Sequence, residues 1–220
     1  GIPGAPVGPV SITAYSGNGI DAKNTSTNAG SDTYITTVGT VYATGHGIYA
    51  RNAGRRLTIT TNGEISAGED GINATNTGLE DTRISTTGSV SASGDGIRAS
   101  SYGTDLYISA EGYAREEGYV TGGRGHGIFA ENTGSGYTTV RTTATVEGNG
   151  TSRQDHDGVH VENSGTDLTV DVAAVTGFRD GIDAANTGTG VLSVTASGAV
   201  QGGSRGRAIR AEHSADGTNR

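Results

Sequence analysis

Three features of the chain predict an all-β fold, a right-handed parallel β-helix (β-solenoid) of about eight rungs. A phrase returns eight times, it alternates inward and outward residues, and its copies are spaced mostly in the twenties. The phrase is Gly-Ile-x-Ala with Asn two residues later. It reads Gly19-Ile20-Asp21-Ala22, Gly47-Ile48-Tyr49-Ala50, Gly71-Ile72-Asn73-Ala74 and Gly96-Ile97-Arg98-Ala99. It continues as Gly127-Ile128-Phe129-Ala130, Gly158-Val159-His160-Val161, Gly181-Ile182-Asp183-Ala184 and Ala208-Ile209-Arg210-Ala211. The first residues are 28, 24, 25, 31, 31, 23 and 27 positions apart. A period of this size marks stacked units, none of which buries its apolar face alone.

Within the phrase, Ile and Ala alternate with a variable residue, the period of a strand with one buried face. The variable position holds Asp21, Tyr49, Asn73, Arg98, Phe129, His160, Asp183 and Arg210, and is expected to face solvent. Counting on in steps of two, Asn24, Asn52, Asn76, Asn132, Asn163 and Asn186 point inward, with Ser101 and His213 as exceptions. A buried amide needs partners, and stacked Asn side chains supply them to one another as a structural ladder. Two residues later Gly54, Gly78, Gly103, Gly134, Gly165 and Gly188 are expected to make the turn through positive φ. A second strand follows, with Ile35, Ile59, Ile84, Ile108, Val140, Val170 and Val194 inward. Beyond Gly39, Gly63, Gly88, Gly112, Ala144, Ala174 and Gly198, a further inward position aligns as Val41, Ile65, Val90, Ala114, Val146, Thr176 and Val200.

Coils of this kind pair in parallel, and parallel crossovers are right-handed. At about 4.8 Å per rung the rod would be roughly 38 Å long. A leucine-rich repeat fits poorly, because the recurring apolar residue is Ile or Val and only five leucines occur, at Leu57, Leu79, Leu106, Leu168 and Leu192. The Gly-Gly-x-Gly-x-Asp nonapeptide of calcium rolls is missing.

The 220 residues include 39 Gly and 32% apolar residues, too few for a compact globule of this length but enough for a thin solenoid core. A net charge of −8 argues against nucleic acid, whose phosphates need a basic stripe. With no Cys there is neither a disulfide framework nor a thiolate metal site, and no apolar run reaches the length of a membrane span. Residues 1–10, with Pro3, Pro6 and Pro9, read as a Pro/Gly-rich linker or fragment end. Residues 11–213 read as the β-helix and 214–220 as a polar tail. Without an initiator Met or a signal peptide, the chain is expected to be a processed or excised piece of a longer rod.

Gly-His-Gly-Ile-Tyr-Ala-Arg-Asn at 45–52, Gly-His-Gly-Ile-Phe-Ala-Glu-Asn at 125–132 and Asp-Gly-Ile-Asp-Ala-Ala-Asn-Thr-Gly at 180–188 resemble autotransporter passenger domains, the β-helical surface proteins of type V secretion. The resemblance covers roughly residues 11–213. It implies export through the outer membrane of a Gram-negative bacterium, an extracellular or surface location, and adhesion or another host-directed role. Fold alone does not choose among these.

The gaps between the second-strand Gly and the next phrase locate the candidate site. Three coils use eight residues, whereas Gly112 to Gly127 takes fifteen and Ala144 to Gly158 fourteen. Two successive coils are therefore expected to carry insertions at the same turn, emerging side by side, and repeat proteins place recognition residues on such insertions. The candidate partner-binding residues are Arg115, Glu116, Glu117, Tyr119, Arg124 and His126 on the first, and Arg153, Gln154, Asp155, His156 and Asp157 on the second. Asp155-His156-Asp157 with His160 offers oxygen and imidazole ligands for a divalent cation. Asp before the phrase Gly is also ordinary turn chemistry, shared with Asp70, Asp95 and Asp180. No metal or cofactor is therefore expected. Stacking of Asp157 on Asp180 would still repel, and so favour a cation between them.

Enzyme signals are thin. Gly202-Gly203-Ser204-Arg205-Gly206 matches the nucleophile elbow in form, but a β phrase follows it where a helix is needed. The loop carboxylates Glu116, Glu117, Asp155 and Asp157 are the candidates for polysaccharide hydrolysis or lysis. The sequence thus favours a non-enzymatic adhesin or receptor ligand on a rigid rod, engaging a host cell-surface protein or glycan through the two insertions. A structural spacer or self-associating rod, end to end or side by side, is the alternative, and a polysaccharide lyase or hydrolase a second one. No nucleic acid and no membrane insertion are expected.

Overall fold

The computed structural model describes residues 11–26, 30–112, 118–150 and 156–214. Among them lie twenty-three strands and no helix. Coil one holds β1 (Ile12–Ala14), β2 (Ile20–Asn24) and β3 (Thr33–Val38); coil two holds β4 (Val41–Ala43), β5 (Ile48–Asn52) and β6 (Leu57–Asn62). Coil three holds β7 (Ile65–Ala67), β8 (Ile72–Asn76) and β9 (Thr82–Thr87); coil four holds β10 (Val90–Ala92), β11 (Ile97–Ser101) and β12 (Leu106–Glu111). Coil five holds β13 (Tyr119–Gly122), β14 (Ile128–Asn132) and β15 (Thr138–Thr142); coil six holds β16 (Thr145–Gly148), β17 (Val159–Asn163) and β18 (Leu168–Val172). Coil seven holds β19 (Val175–Gly177), β20 (Ile182–Asn186) and β21 (Leu192–Ala196), and coil eight β22 (Val200–Gln201) and β23 (Ile209–His213).

Equivalent strands pair in parallel from coil to coil. The first strands build the eight-stranded sheet A, the phrase strands the eight-stranded sheet B, and the third strands the seven-stranded sheet C. The molecule is a β-solenoid of about eight turns. Its register stacks like on like: Ile48 on Ile72, Ile97 on Ile128 and Ile59 on Ile84. These aliphatic side chains are fully buried in one core running from Ile35 to Ala184, with Ile12, Ile20, Leu192, Val194 and Val200 partly buried against its two ends.

The third inward alignment needs two corrections. The residues paired in sheet A are Val120 and Val175, in place of Ala114 and Thr176. Ala114 lies outside the described residues, and five residues separate Gly112 from Gly118, which takes over the corner before β13. In coil seven the corner is one residue shorter than in coil six, so Thr176 turns outward.

The Asn ladder exists in two pieces. Asn24 Nδ2 donates to Asn52 Oδ1 at 2.8 Å, and Asn52 Nδ2 to Asn76 Oδ1 at 2.8 Å. At Ser101 it lapses, the hydroxyl accepting from Thr82 instead. Asn132 donates to the carbonyls of Thr104 and Tyr137, and the ladder resumes where Asn163 Nδ2 donates to Asn186 Oδ1 at 2.9 Å. The Gly residues after each Asn are needed for closeness rather than for positive φ. A Cβ on Gly78 would run into the carbonyl oxygens of Gly54 and Arg55 in the coil beneath. Among the described residues, positive φ falls instead at the corner from sheet C to sheet A, at Gly39 (108°), Gly63 (140°) and Gly88 (115°), and at Gly17 (85°) between β1 and β2.

Asn76 makes the fullest use of its amide. Its Nδ2 donates to the carbonyls of Glu80 (3.0 Å), Arg55 (3.3 Å) and Asp81 (3.3 Å), and its Oδ1 accepts from Asn52 and from the Gly78 N–H. Asn76→Ala strands several buried groups at once, so urea titration should show a loss of about 2–4 kcal/mol, against less than about 0.5 kcal/mol for the outward Ser100→Ala. A loss below about 1 kcal/mol for Asn76→Ala would mean that the ladder does not hold the coils.

Candidate functional site

The corner between sheets A and B carries a second ladder. Each residue just before the phrase lends a side-chain acceptor to the backbone N–H of its equivalent in the next coil. Asn18 Oδ1 accepts from His46, His46 Nδ1 from Asp70, and Asp70 Oδ1 from Asp95. Asp95 Oδ1 accepts from His126, His126 Nδ1 from Asp157, Asp157 Oδ1 from Asp180, and Asp180 Oδ1 from Arg207. In return, the phrase Gly of the lower coil donates its N–H to the carbonyl of the upper one, as Gly96 does to His126. The "turn" aspartates therefore act between coils.

At coils five to eight this ladder gathers charge. Asp157, 0% exposed, has all its lone pairs engaged. Oδ1 accepts from Arg179 Nε (2.9 Å) and the Asp180 N–H (3.0 Å), and Oδ2 from Arg179 Nη2 (2.7 Å) and His160 Nδ1 (3.1 Å). Arg179 also reaches Asp183 Oδ2 at 2.7 Å and lies 3.5 Å from Asp180, and Arg210 reaches Asp183 at 3.1 Å. The cation that stacked Asp157 and Asp180 call for is thus the chain's own Arg179. Asp183 corrects the expectation that the variable phrase position faces solvent: it is 3% exposed, beneath two guanidinium groups. The rest of that column is half-buried from Tyr49 to Arg210, with the Arg98 guanidinium 4.2 Å from the Phe129 ring centroid and Phe129 stacked on His160 at 5.4 Å.

The protonation states follow. Burial pushes the His126 imidazole down to about 4, charged His160 adds to this, and Asp95 opposes it. A neutral ring also fits its Nδ1, which accepts a backbone N–H. Burial likewise disfavours a charge on His160, but Asp157, Asp183 and Glu162 outweigh it and raise its pKa, and its two nitrogens face Asp157 and Glu162. Burial alone would raise Asp157; the bonds from His160, Arg179 and the Asp180 N–H win and hold it near 2.

His126, Asp157 and His160 bring ligand atoms within 4.8 Å of one another. The four acceptor positions of Asp157 are nevertheless occupied, and a cation there would have to displace Arg179 and discharge His160. The cluster fits a staple between coils better than a metal centre.

The two insertions do not share a turn. Residues 113–117 lie between β12 and β13, at the corner from sheet C to sheet A, whereas 149–157 lie between β16 and β17, at the corner from A to B. They leave adjacent coils at opposite ends of the sheet A strands, and so do not emerge from one shared corner. Tyr119, 47% exposed, opens β13. Arg124 is exposed at the A–B corner, and His156 is half-buried with its ring edge-on to His126 at 5.2 Å. His126 and Asp157 serve the ladder. Arg115, Glu116, Glu117, Arg153, Gln154 and Asp155 lie outside the described residues.

A cleft of about 530 Å³ opens at this same corner, lined by Gly148, Asn149, Thr176, Gly177, Phe178, Gly203, Ser204 and Arg205. Phe178 is 45% exposed, and Ser204, the formal elbow serine, stands on a turn between sheet A and sheet B strands. The sequence carried one sign of it. The last residue of the sheet A strand is Ala14, Ala43, Ala67 and Ala92 in coils one to four, then becomes Gly122, Gly148 and Gly177. At Gly148 and Gly177 a Cβ would strike the carbonyls of Asp157 and Asp180, because the remodelled corner folds back over the strand.

No protein-family model matches the chain, and neither does any curated protein or solved structure.

Two outcomes test the cluster. Arg179→Ala leaves buried Asp157 with only His160 and the Asp180 N–H, and should lower stability by about 3–5 kcal/mol in chemical denaturation. The second concerns pH. Between about 6.5 and 4 the unfolded chain binds the His126 proton and the folded chain does not, so the His126 contribution to stability is full above 6.5 and declines by up to about 1.4 kcal/mol per pH unit below it. His126→Asn keeps an acceptor, as Asn18 does in coil one, and should flatten denaturation curves over pH 6.5 to 5. An unchanged slope in that variant would remove His126 as the cause.

Proposed function

We propose that the chain is a non-enzymatic segment of a secreted or surface-displayed passenger of the autotransporter kind, a rigid rod that carries a recognition site for a host cell-surface molecule. The observation carrying this reading is the cleft at Asn149, Phe178 and Arg205. It combines an exposed ring and a cation beside an insertion, at a stretch where the corner departs from the plain repeat. The repeat phrases, the parallel solenoid and the lack of Cys support the passenger assignment. The ladders support the rod: the polar side chains buried at the corners spend their hydrogen bonds holding coil to coil, which leaves recognition to the corners' outer residues.

That economy also favours a second reading, a spacer whose only duty is length. Binding of the purified chain to a panel of host cells separates the two. The recognition reading expects saturable binding that falls by about tenfold or more in a Phe178→Ala/Arg205→Gln double variant of unchanged melting temperature. Binding unaffected by that variant but lost when both insertions are shortened would move the site onto the insertions. A native chain that binds no cell leaves the spacer.

A further inference from the structure

We infer that the A–B corner cleft takes a saccharide bearing a single carboxylate, a sialic acid terminus or a uronic acid unit. The inference deepens the recognition reading above and rests on it for the site's purpose. Its volume of about 530 Å³ lies within the range of small-ligand pockets, roughly 300–1,000 Å³. The lining divides into the three groups that sugar recognition needs. Phe178 offers a ring on which the C–H face of a pyranose stacks. Asn149, Thr176 and Ser204, all exposed, offer an amide and two hydroxyls to sugar hydroxyls. Arg205 offers a planar fork of donors that fits a carboxylate.

Arg205 is available for that use. Its neighbours Arg179 and Arg210 are committed to Asp157, Asp183 and Glu212, whereas Arg205 has no ion pair among the described residues. The rim is also held in place. Phe178 directly precedes Arg179, whose bidentate grip on Asp157 anchors that turn, and the Phe178 N–H donates to the Gly148 carbonyl at 2.9 Å. Glu147 stands in register with Thr176 on the same outer face of sheet A, and this acid disfavours a densely sulfated chain while tolerating one carboxylate on the Arg205 side.

The test titrates the full chain with 3′-sialyllactose, galacturonate and lactose, followed by calorimetry and saturation-transfer NMR. One of the two carboxylated sugars should bind at least about tenfold more tightly than lactose, the worth of one charge-assisted pair. Which one binds identifies the source, and either supports the inference. Arg205→Gln should abolish that preference, and Phe178→Ala should weaken the bound sugar about tenfold; each variant is checked for an unchanged melting temperature. Equal affinity for lactose, binding unchanged in both variants, or no binding of any of the three overturns the inference. Host-cell binding measured in parallel separates the two failures. Cells bound without sugar overturn the saccharide and leave the recognition reading; sugar bound without cells does the reverse.

Discussion

Each coil must pass backbone N–H groups to its neighbour, and before the phrase strand a side chain receives them. That interaction sets the terms for the rest of the rod. Seven successive bonds link Asn18, His46, Asp70, Asp95, His126, Asp157, Asp180 and Arg207, and every residue that accepts has a short side chain with a lone pair at the right reach. The requirement is for an acceptor and not for a charge, which is why Asn, Asp and neutral His interchange. It also explains how a chain of such low apolar content folds. Its core is one or two aliphatic side chains deep, and specificity of register comes from polar groups that have no other place to bond.

The same ladder makes the charged corner. Once Asp157, Asp180 and Asp183 lie on neighbouring coils, their mutual repulsion needs an answer, and Arg179 and Arg210 give it. Arg179 turns inward and its neighbour Phe178 outward. A structural necessity thereby fixes the edge of the cleft. The staple and the recognition surface are two sides of one short turn.

The fold was legible because the phrase repeats: Ile, Ala and Asn recur at fixed offsets, and any stacked solution places them inward together. Ser101, odd in the sequence, is where the amide ladder breaks. Gly54 and Gly78 were recognisable as obligatory, but their cause, the carbonyl of the coil beneath, is a long-range contact that local turn rules do not contain. The insertions were visible as lengths and misplaced as positions, since a gap spanning two corners does not say which corner holds the extra residues. The cleft was illegible for a related reason. Asn149, Phe178 and Arg205 come from three coils, each unremarkable alone, and only the change from Ala92 to Gly122, Gly148 and Gly177 hinted that the corner alters there.

The lapse of the amide ladder around Ser101 and Asn132 has a mechanical side. Strands lie across the rod, so the hydrogen bonds joining coils run along it, and a pull on the two ends puts the same tension on every seam. Such a filament yields at its least bonded seams. Among the described residues, Asn-to-Asn bonds cross the seams from coil one to coil three and from coil six to coil seven, and none crosses those from coil three to coil six or from seven to eight. Under tension the rod would part within coils three to six, or shed coil eight, before the bonded stretches yield.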